Sequence, residues 1–382
     1  LTRCRRSGAR LDTALNEASL EPREAALAAR LCFTVVQHHS LIDAELAKHV
    51  KKTQPQVKDI LRLGAAQLWY FDRVPRYALT NEAVSLCKKT APHAAGMVNA
   101  VLMRLPDTPP ETDDLSVKYS LPVWFLEKMR SLLPEDELEP FCESCNSIPP
   151  VYIQRNTLKP YADQSGVALR ENGGYVLTDP SALEGILRKG WGLVADPGAK
   201  ECVDRLAPDP GEQVWDVCAA PGGKTLMAAF AMGNKGRIFA TDKERRKLPL
   251  LRETLSRCGV YNTDIRQADG ATYTPDKLFD AVLCDVPCSG FGVLRKKPDI
   301  RFRTETAHFP ALQLGILSNA AKSVGDGGRL LYSTCTLLPE ENEGVTNAFL
   351  RENGGFTMTG QTTLWPHRGD TDGFYICLMT KK

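Results

Sequence analysis

The segment Gln213-Val214-Trp215-Asp216-Val217-Cys218-Ala219-Ala220-Pro221-Gly222-Gly223-Lys224-Thr225 decides the fold of the second half of the chain. Its opening, Gln213 to Val217, is a short apolar run and reads as a buried strand. Small residues follow, and small side chains let a main chain approach a ligand closely. A helix opening at Lys224 then presents first-turn N–H groups suited to a carboxylate. Strand, small-residue turn and helix make one unit of an open α/β sheet, which takes its ligands at the carboxyl ends of the strands. Two nucleotide fingerprints fail here. Gly223-Lys224-Thr225 fits the end of a P-loop, but Cys218 stands where its first glycine belongs, and no G-x-G-x-x-G is present. ATP-loop chemistry and nicotinamide binding are both disfavoured.

Working outward, strands alternate with helical segments: Arg237 to Ala240, a helix to Cys258, Asp264 to Gln267, Phe279 to Leu283, a helix near 311–324, and Gly328 to Tyr332. That alternation predicts a doubly wound parallel sheet. Acids stand at successive strand ends: Asp216, Asp242, Asp269 and Asp285. One at a time, each reads most simply as a loop or helix-cap residue. Together they suit a ligand with a ribose for Asp242, an adenine edge for Asp269 and a cationic head, as in S-adenosyl-L-methionine. The turn from Cys218 through Ala219, Ala220, Pro221, Gly222 and Gly223 to Lys224 is then its cradle. Two cysteines also follow strands, Cys288 in Asp285-Val286-Pro287-Cys288-Ser289-Gly290 and Cys335 in Tyr332-Ser333-Thr334-Cys335-Thr336. Two thiols beside such a loop suggest covalent chemistry on a bound substrate.

The chain of 382 residues is long enough for two or three domains. Its composition is that of a soluble globular protein, 43% hydrophobic and 25% charged. There is no apolar run of membrane-spanning length and no secretion signal, so the expectation is a cytoplasmic protein with reduced thiols and no membrane. Cys142-Glu143-Ser144-Cys145 has a C-x-x-C spacing but lacks the second pair that zinc needs, and no metal is expected. Cys32, Cys87, Cys202 and Cys258 read as core.

Residues 22–105 carry apolar residues at helical spacing, as in Ala25 to Cys32, Val57 to Leu68 and Ala95 to Leu102, and predict a compact bundle. Residues 1–108 hold 16 Lys and Arg against 10 Asp and Glu, whereas residues 109–150 hold 3 against 9. A local basic excess is either a solvated face or a phosphate-binding surface. The expected organisation is multidomain: an all-α helical bundle over 1–108, a helical connector with a small α+β module over 109–190, and an α/β Rossmann-like domain over 191–382.

At these motifs the chain resembles the Sun-type, RsmB-like family of RNA cytosine-C5 methyltransferases. The matching stretches are Asp216 to Thr225, Asp285 to Gly290, Val293-Leu294-Arg295-Lys296-Lys297-Pro298-Asp299-Ile300, and Tyr332 to Thr336 with Pro339-Glu340-Glu341-Asn342-Glu343. Asn81 to Val84 and Val98 to Leu102 resemble the NusB-type RNA-binding domain that accompanies the bacterial 16S ribosomal RNA enzyme. Two departures stand out: Ala195 replaces the family's usual Gln before Asp196, and the resemblance leads us to expect no counterpart of the NusB-like domain's opening helix before Arg10.

The resemblance implies a monomeric S-adenosyl-L-methionine-dependent enzyme that methylates C5 of a cytosine in small-subunit ribosomal RNA. Other readings keep the enzyme with transfer RNA as substrate, or make the chain a non-catalytic RNA-binding assembly factor. Cytosine C5 is a poor nucleophile; a thiolate adding to C6 makes it enamine-like, and a base must later remove the C5 proton. Asp285 is the group expected at the cytosine N3/N4 edge, and the target base must leave its stack. In DNA enzymes of analogous chemistry the Pro-Cys dipeptide attacks, which would select Cys288. The family pattern instead implies that Cys335 attacks and Cys288 releases product. Arg155 and Asn156 resemble an RNA-contacting entry strand, and the basic run with Arg295, Lys296, Lys297 and Arg301 adjoins the expected base pocket, where it would meet phosphates.

Overall fold

Val214 and Trp215, adjacent in the decisive segment, point into two different cores. Val214 packs with Leu226, Met227, Phe230 and Leu251, and Trp215 with Phe279, Val282, Ile316 and Leu317. Burial on both faces is why this strand reads as a continuous apolar run rather than an alternating one. The computed structural model describes residues 1, 10–160, 166–169 and 174–382. It divides into two units, 1–148 with 294–304 and 149–293 with 305–382.

In the second unit the strands are β1 (Tyr152–Arg155), β2 (Val167–Leu169), β3 (Tyr175–Leu177), β4 (Gly192–Val194), β5 (Gln213–Asp216), β6 (Arg237–Asp242), β7 (Thr263–Gln267), β8 (Phe279–Asp285), β9 (Val324–Thr334), β10 (Phe356–Leu364) and β11 (Phe374–Lys381). Among the described residues they form a four-stranded sheet, β2-β3-β1-β4, and a seven-stranded sheet, β10-β11-β9-β8-β5-β6-β7. The five strands from β7 to β9 run parallel, as the strand–helix alternation predicts. The parallel expectation fails at the far edge. There β11 inserts between β9 and β10 and runs antiparallel to both. A short connection joins β10 to β11, and such a connection makes a hairpin, not a parallel crossover.

The first unit is helical. Helices Pro22–Gln37, Pro55–Tyr70, Arg76–Thr90 and Ala95–Arg104 stand where the spacing predicts them, and His39–His49 adds one that the apolar pattern did not reveal. Their core gathers Ile42, Leu46, Val57, Leu61, Val98 and Leu102. Arg62, 2% exposed, reaches Asp43 and Asp59 through three contacts of 2.7 Å. The departure expected before Arg10 lies outside the described residues. Helices Val123–Arg130 and Glu135–Ser144 belong to the first unit and bury Phe125, Met129, Leu138 and Phe141, while the four-stranded sheet belongs to the second. No helix among the described residues is long and apolar enough to cross a membrane.

The segment Leu294–Thr304 also belongs to the first unit, and it overturns one expectation. Arg301 is only 3% exposed, and its guanidinium donates to the carbonyls of Gln37 (2.6 Å) and Tyr119 (3.3 Å) and to Asn146 Oδ1 (2.9 Å). It closes main-chain acceptors and is not presented to phosphate. Arg295 is likewise 7% exposed. Replacing Arg301 by Ala should lower the urea midpoint of unfolding, since each buried acceptor left unpaired costs about 1–3 kcal/mol. The salt dependence of RNA binding should not change. An unshifted midpoint would refute the structural role.

Candidate active site

The site lies at the carboxyl ends of β5, β6, β8 and β9. After Asp216 the chain turns through Gly222, whose φ of +112° and closeness to Leu251 (2.4 Å from an added Cβ) admit glycine alone. The helix Gly223–Ala231 follows and points Lys224 across to the end of β8, where Nζ meets Asp285 Oδ2 at 2.7 Å. Burial works against the Lys224 charge, but Asp285 outweighs it and holds the ammonium above its ordinary range. The other Asp285 oxygen accepts from the Ser333 hydroxyl at 2.9 Å. One carboxylate therefore binds both the cofactor loop and the strand that leads to Cys335.

The two candidate thiols come together: Cys288 Sγ and Cys335 Sγ are 3.2 Å apart. The hydrogen bond to Cys335, then burial, then the charges of Cys335 and Glu341 push the Cys288 thiol well above its usual range. Gly292 brings the loops close, because its N–H donates to the Cys335 carbonyl (2.9 Å) and its carbonyl accepts from Gly373 N–H (2.8 Å). A Cβ on Gly292 would sit 2.1 Å from the Gly373 oxygen, so no side chain fits there.

The residues around the turn suit a cationic cofactor with a ribose. Asp242 ends β6 with its carboxylate fixed by the N–H groups of Ala220 (3.0 Å) and Glu244 (2.8 Å). Asp269 is held by the Ala271 N–H (3.0 Å) and by Lys243 (2.7 Å). Asp216 accepts from Thr225 (2.6 Å), while its Oδ1 is buried without a hydrogen-bond partner. Burial foremost, with Asp285 and Asp242 adding to it, pushes the Asp216 carboxyl up to about 7. An acidic cluster that crowded favours a positively charged ligand. Cys218 and Ala219 lie within the turn, and the Cys218 thiol is raised by burial, which leaves its main chain as the useful part.

One expected RNA contact does not survive. Asn156 is fully buried, and its side-chain amide donates to the carbonyls of Gly190 (2.8 Å) and Cys258 (2.7 Å), so it fastens the four-stranded sheet to the catalytic domain and is closed to RNA. Of the basic candidates, Arg155 and Lys297 are exposed and Lys296 is half-buried. Ala195 offers only its backbone, with its carbonyl accepting from Gln154. Cys142 and Cys145 are buried in the first unit with thiols pushed up to about 12 by desolvation, unfavourable for zinc-binding thiolates. Among the described residues no group of three or more His, Cys, Asp and Glu is placed to hold a metal. Sequence reasoning left Ser333, Gln313, Glu341 and Gly292 without roles. Ser333 and Glu341 stand in the quoted motifs themselves; Gln313 carried no local signal.

A sheet of this order, with its ligand loop after the central strand, is the Rossmann-like fold of S-adenosylmethionine-dependent methyltransferases. The chain belongs to the 16S rRNA methyltransferase RsmB/F family, whose model matches residues 203–380, and a NusB family domain matches residues 4–107. It is 30% identical to the probable ribosomal RNA small subunit methyltransferase B of Synechocystis sp., over 97% of this chain and 94% of that protein. The ribosomal RNA small subunit methyltransferase B of Serratia proteamaculans is also 30% identical, over 95% and 92%. The crystal structure of PH0851 superposes with a TM-score of 0.82 at 26% identity, covering 97% of this chain and 93% of that one.

Asp242→Ala should weaken S-adenosylmethionine binding by about 10- to 100-fold, the equivalent of a lost charged hydrogen bond of about 1.5–3 kcal/mol. Titration calorimetry on the intact protein measures it. Unchanged affinity would remove Asp242 from the cofactor site.

Proposed function

We propose that the protein methylates C5 of a cytosine in 16S ribosomal RNA through a covalent bond between Cys335 and C6. The observation that carries this reading is the 3.2 Å pair of thiols at adjoining strand ends, in the same unit as the Lys224–Asp285 ion pair. Bound S-adenosylmethionine supplies the electrophilic methyl group; the chain does the rest. Cys335, as thiolate, adds to C6, and the electron pair moves toward C5. Asp285 and Lys224 engage the polar edge of the base and stabilise the charge that shifts there. The C5 proton then leaves to a base as the C6–sulfur bond breaks, and the electron pair of that bond returns to the Cys335 sulfur.

Cys288 suits that second moment. It is held as a thiol beside Cys335 at rest, which supports Cys335 as the ionised attacker. Once Cys335 is bonded to C6, Cys288 lies next to the bond that must break and the proton that must go. Naming of the relatives for the small ribosomal subunit supports ribosomal RNA as substrate, and the NusB-type domain supports RNA docking. Arg155, Lys296 and Lys297 remain the basic candidates for phosphate contacts. A cytoplasmic site of action follows from that substrate.

The two thiol variants separate the roles. Cys335→Ala should abolish turnover and leave no protein–RNA adduct. Cys288→Ala should form the adduct and stall, giving a species that survives denaturing electrophoresis. The reverse pattern would assign the attack to Cys288.

A further inference from the structure

Glu341 has no part in the steps above, yet it is among the most enclosed acids of the second unit, 1% exposed. Its Oε2 accepts from the Ser289 N–H (2.9 Å) and from Gln313 Nε2 (2.8 Å), and the same Gln313 nitrogen donates to the Pro287 carbonyl (3.0 Å). The carboxylate and the amide thus grip the main chain on both sides of Cys288. The Ser289 hydroxyl bonds that of Thr336, next to Cys335, at 2.8 Å, and the Tyr332 hydroxyl donates to the Glu341 carbonyl at 2.5 Å. One residue therefore ties together the two loops that carry the thiols.

Pinning a loop does not require a charge. A buried carboxylate is several kcal/mol more expensive to desolvate than an amide, and Oε1 here has no hydrogen-bond partner to offset that cost. A buried carboxylate oxygen left without a partner calls for an explanation. We propose that Glu341 is a positioning residue for the release step: with Gln313 it fixes the Cys288 loop against the Cys335 loop, and its charge keeps Cys288 a thiol, which hands its proton to the Cys335 sulfur as the C6–sulfur bond breaks and is re-protonated from solvent. The inference rests on the covalent reading above.

The groups that bear on Cys288 are Cys335 and Tyr332 from β9 and its end, Glu341 from the loop before the helix Glu343–Glu352, and the neutral Gln313 from the helix Phe309–Ala321. Lys224 and Asp285 act at one remove, through Cys335. During release Cys335 is bonded to carbon and carries no charge, which leaves Glu341 as the acid that raises the proton affinity of Cys288. Removing that charge lowers the proton affinity, so the alkaline limb of the release rate, where Cys288 loses its proton, must move to lower pH.

The test follows decay of the protein–RNA adduct over a range of pH, using the intact protein, S-adenosylmethionine and an RNA fragment with the target cytosine. Glu341→Gln should prolong the adduct roughly tenfold or more and move the alkaline limb downward. Gln313→Ala, which loosens the loop but keeps the charge, should prolong the adduct and leave the limb in place. Parent-like release in both variants overturns the proposal, as does slow release in Glu341→Gln with an unmoved limb. If Glu341→Gln fails to fold, parent-like release in Gln313→Ala is sufficient to overturn it. Cys288→Ala is the control. If it accumulates no adduct, the assignment of attack to Cys335 and release to Cys288 falls; if it does while the other two release normally, only the inference falls.

Discussion

The contact between Lys224 and Asp285 is the constraint on which the site depends. The ammonium is nearly enclosed, its side chain 10% exposed, and would lose several kcal/mol of hydration without a partner. The partner comes from a different strand, so the ion pair forms only when β5 and β8 lie side by side in register, Asp216 beside Leu283. Through Ser333 the same carboxylate reaches β9. Three parallel strands are thereby set to a common level at their carboxyl ends, and the loops that leave them have one geometry in which to meet. The pair adds little to stability on balance, because its Coulombic gain is set against desolvation; what it supplies is specificity of placement.

Charge around the turn has a second consequence. Burial, with the charges of Asp285 and Asp242 adding to it, pushes the Asp216 carboxyl up to about 7. A sulfonium ion arriving in that field is attracted, and after methyl transfer the neutral thioether is not. Such a field would favour the charged cofactor over its neutral product.

Much of this was legible in the chain. The turn Cys218–Lys224, the strand-end acids and the two Cys motifs are local signals, because a strand, a tight turn and a helix start are specified by neighbouring residues. Failures came where burial was decided by distant partners. Arg301 sits in a run that looks basic and exposed, yet Pro298 and Ile300 are buried beside it, and three groups from the helical unit await its guanidinium. Asn156 looks like a polar contact, but carbonyls at Gly190 and Cys258 claim it. Gln313 was invisible because its neighbours, Pro287 and Glu341, are far from it in sequence. The position of β11 between β9 and β10 was equally hidden, since strand order is set by which edges pair and not by which residues alternate.

That last feature bears on how the enzyme is made. Thr334, the residue before Cys335, pairs with Tyr375 on β11, and Tyr332 pairs with Cys377. During synthesis β9 leaves the ribosome before β10, and β11 emerges after both. Until then β9 is an open edge bearing Leu330, Leu331 and Tyr332, all fully buried in the finished protein, the type of edge that invites pairing with another chain. The nascent enzyme is at its most adhesive late in its own translation. A message cut short before β11 would yield a sticky product for quality control to clear, with the cofactor loop already encoded but Cys335 unsupported.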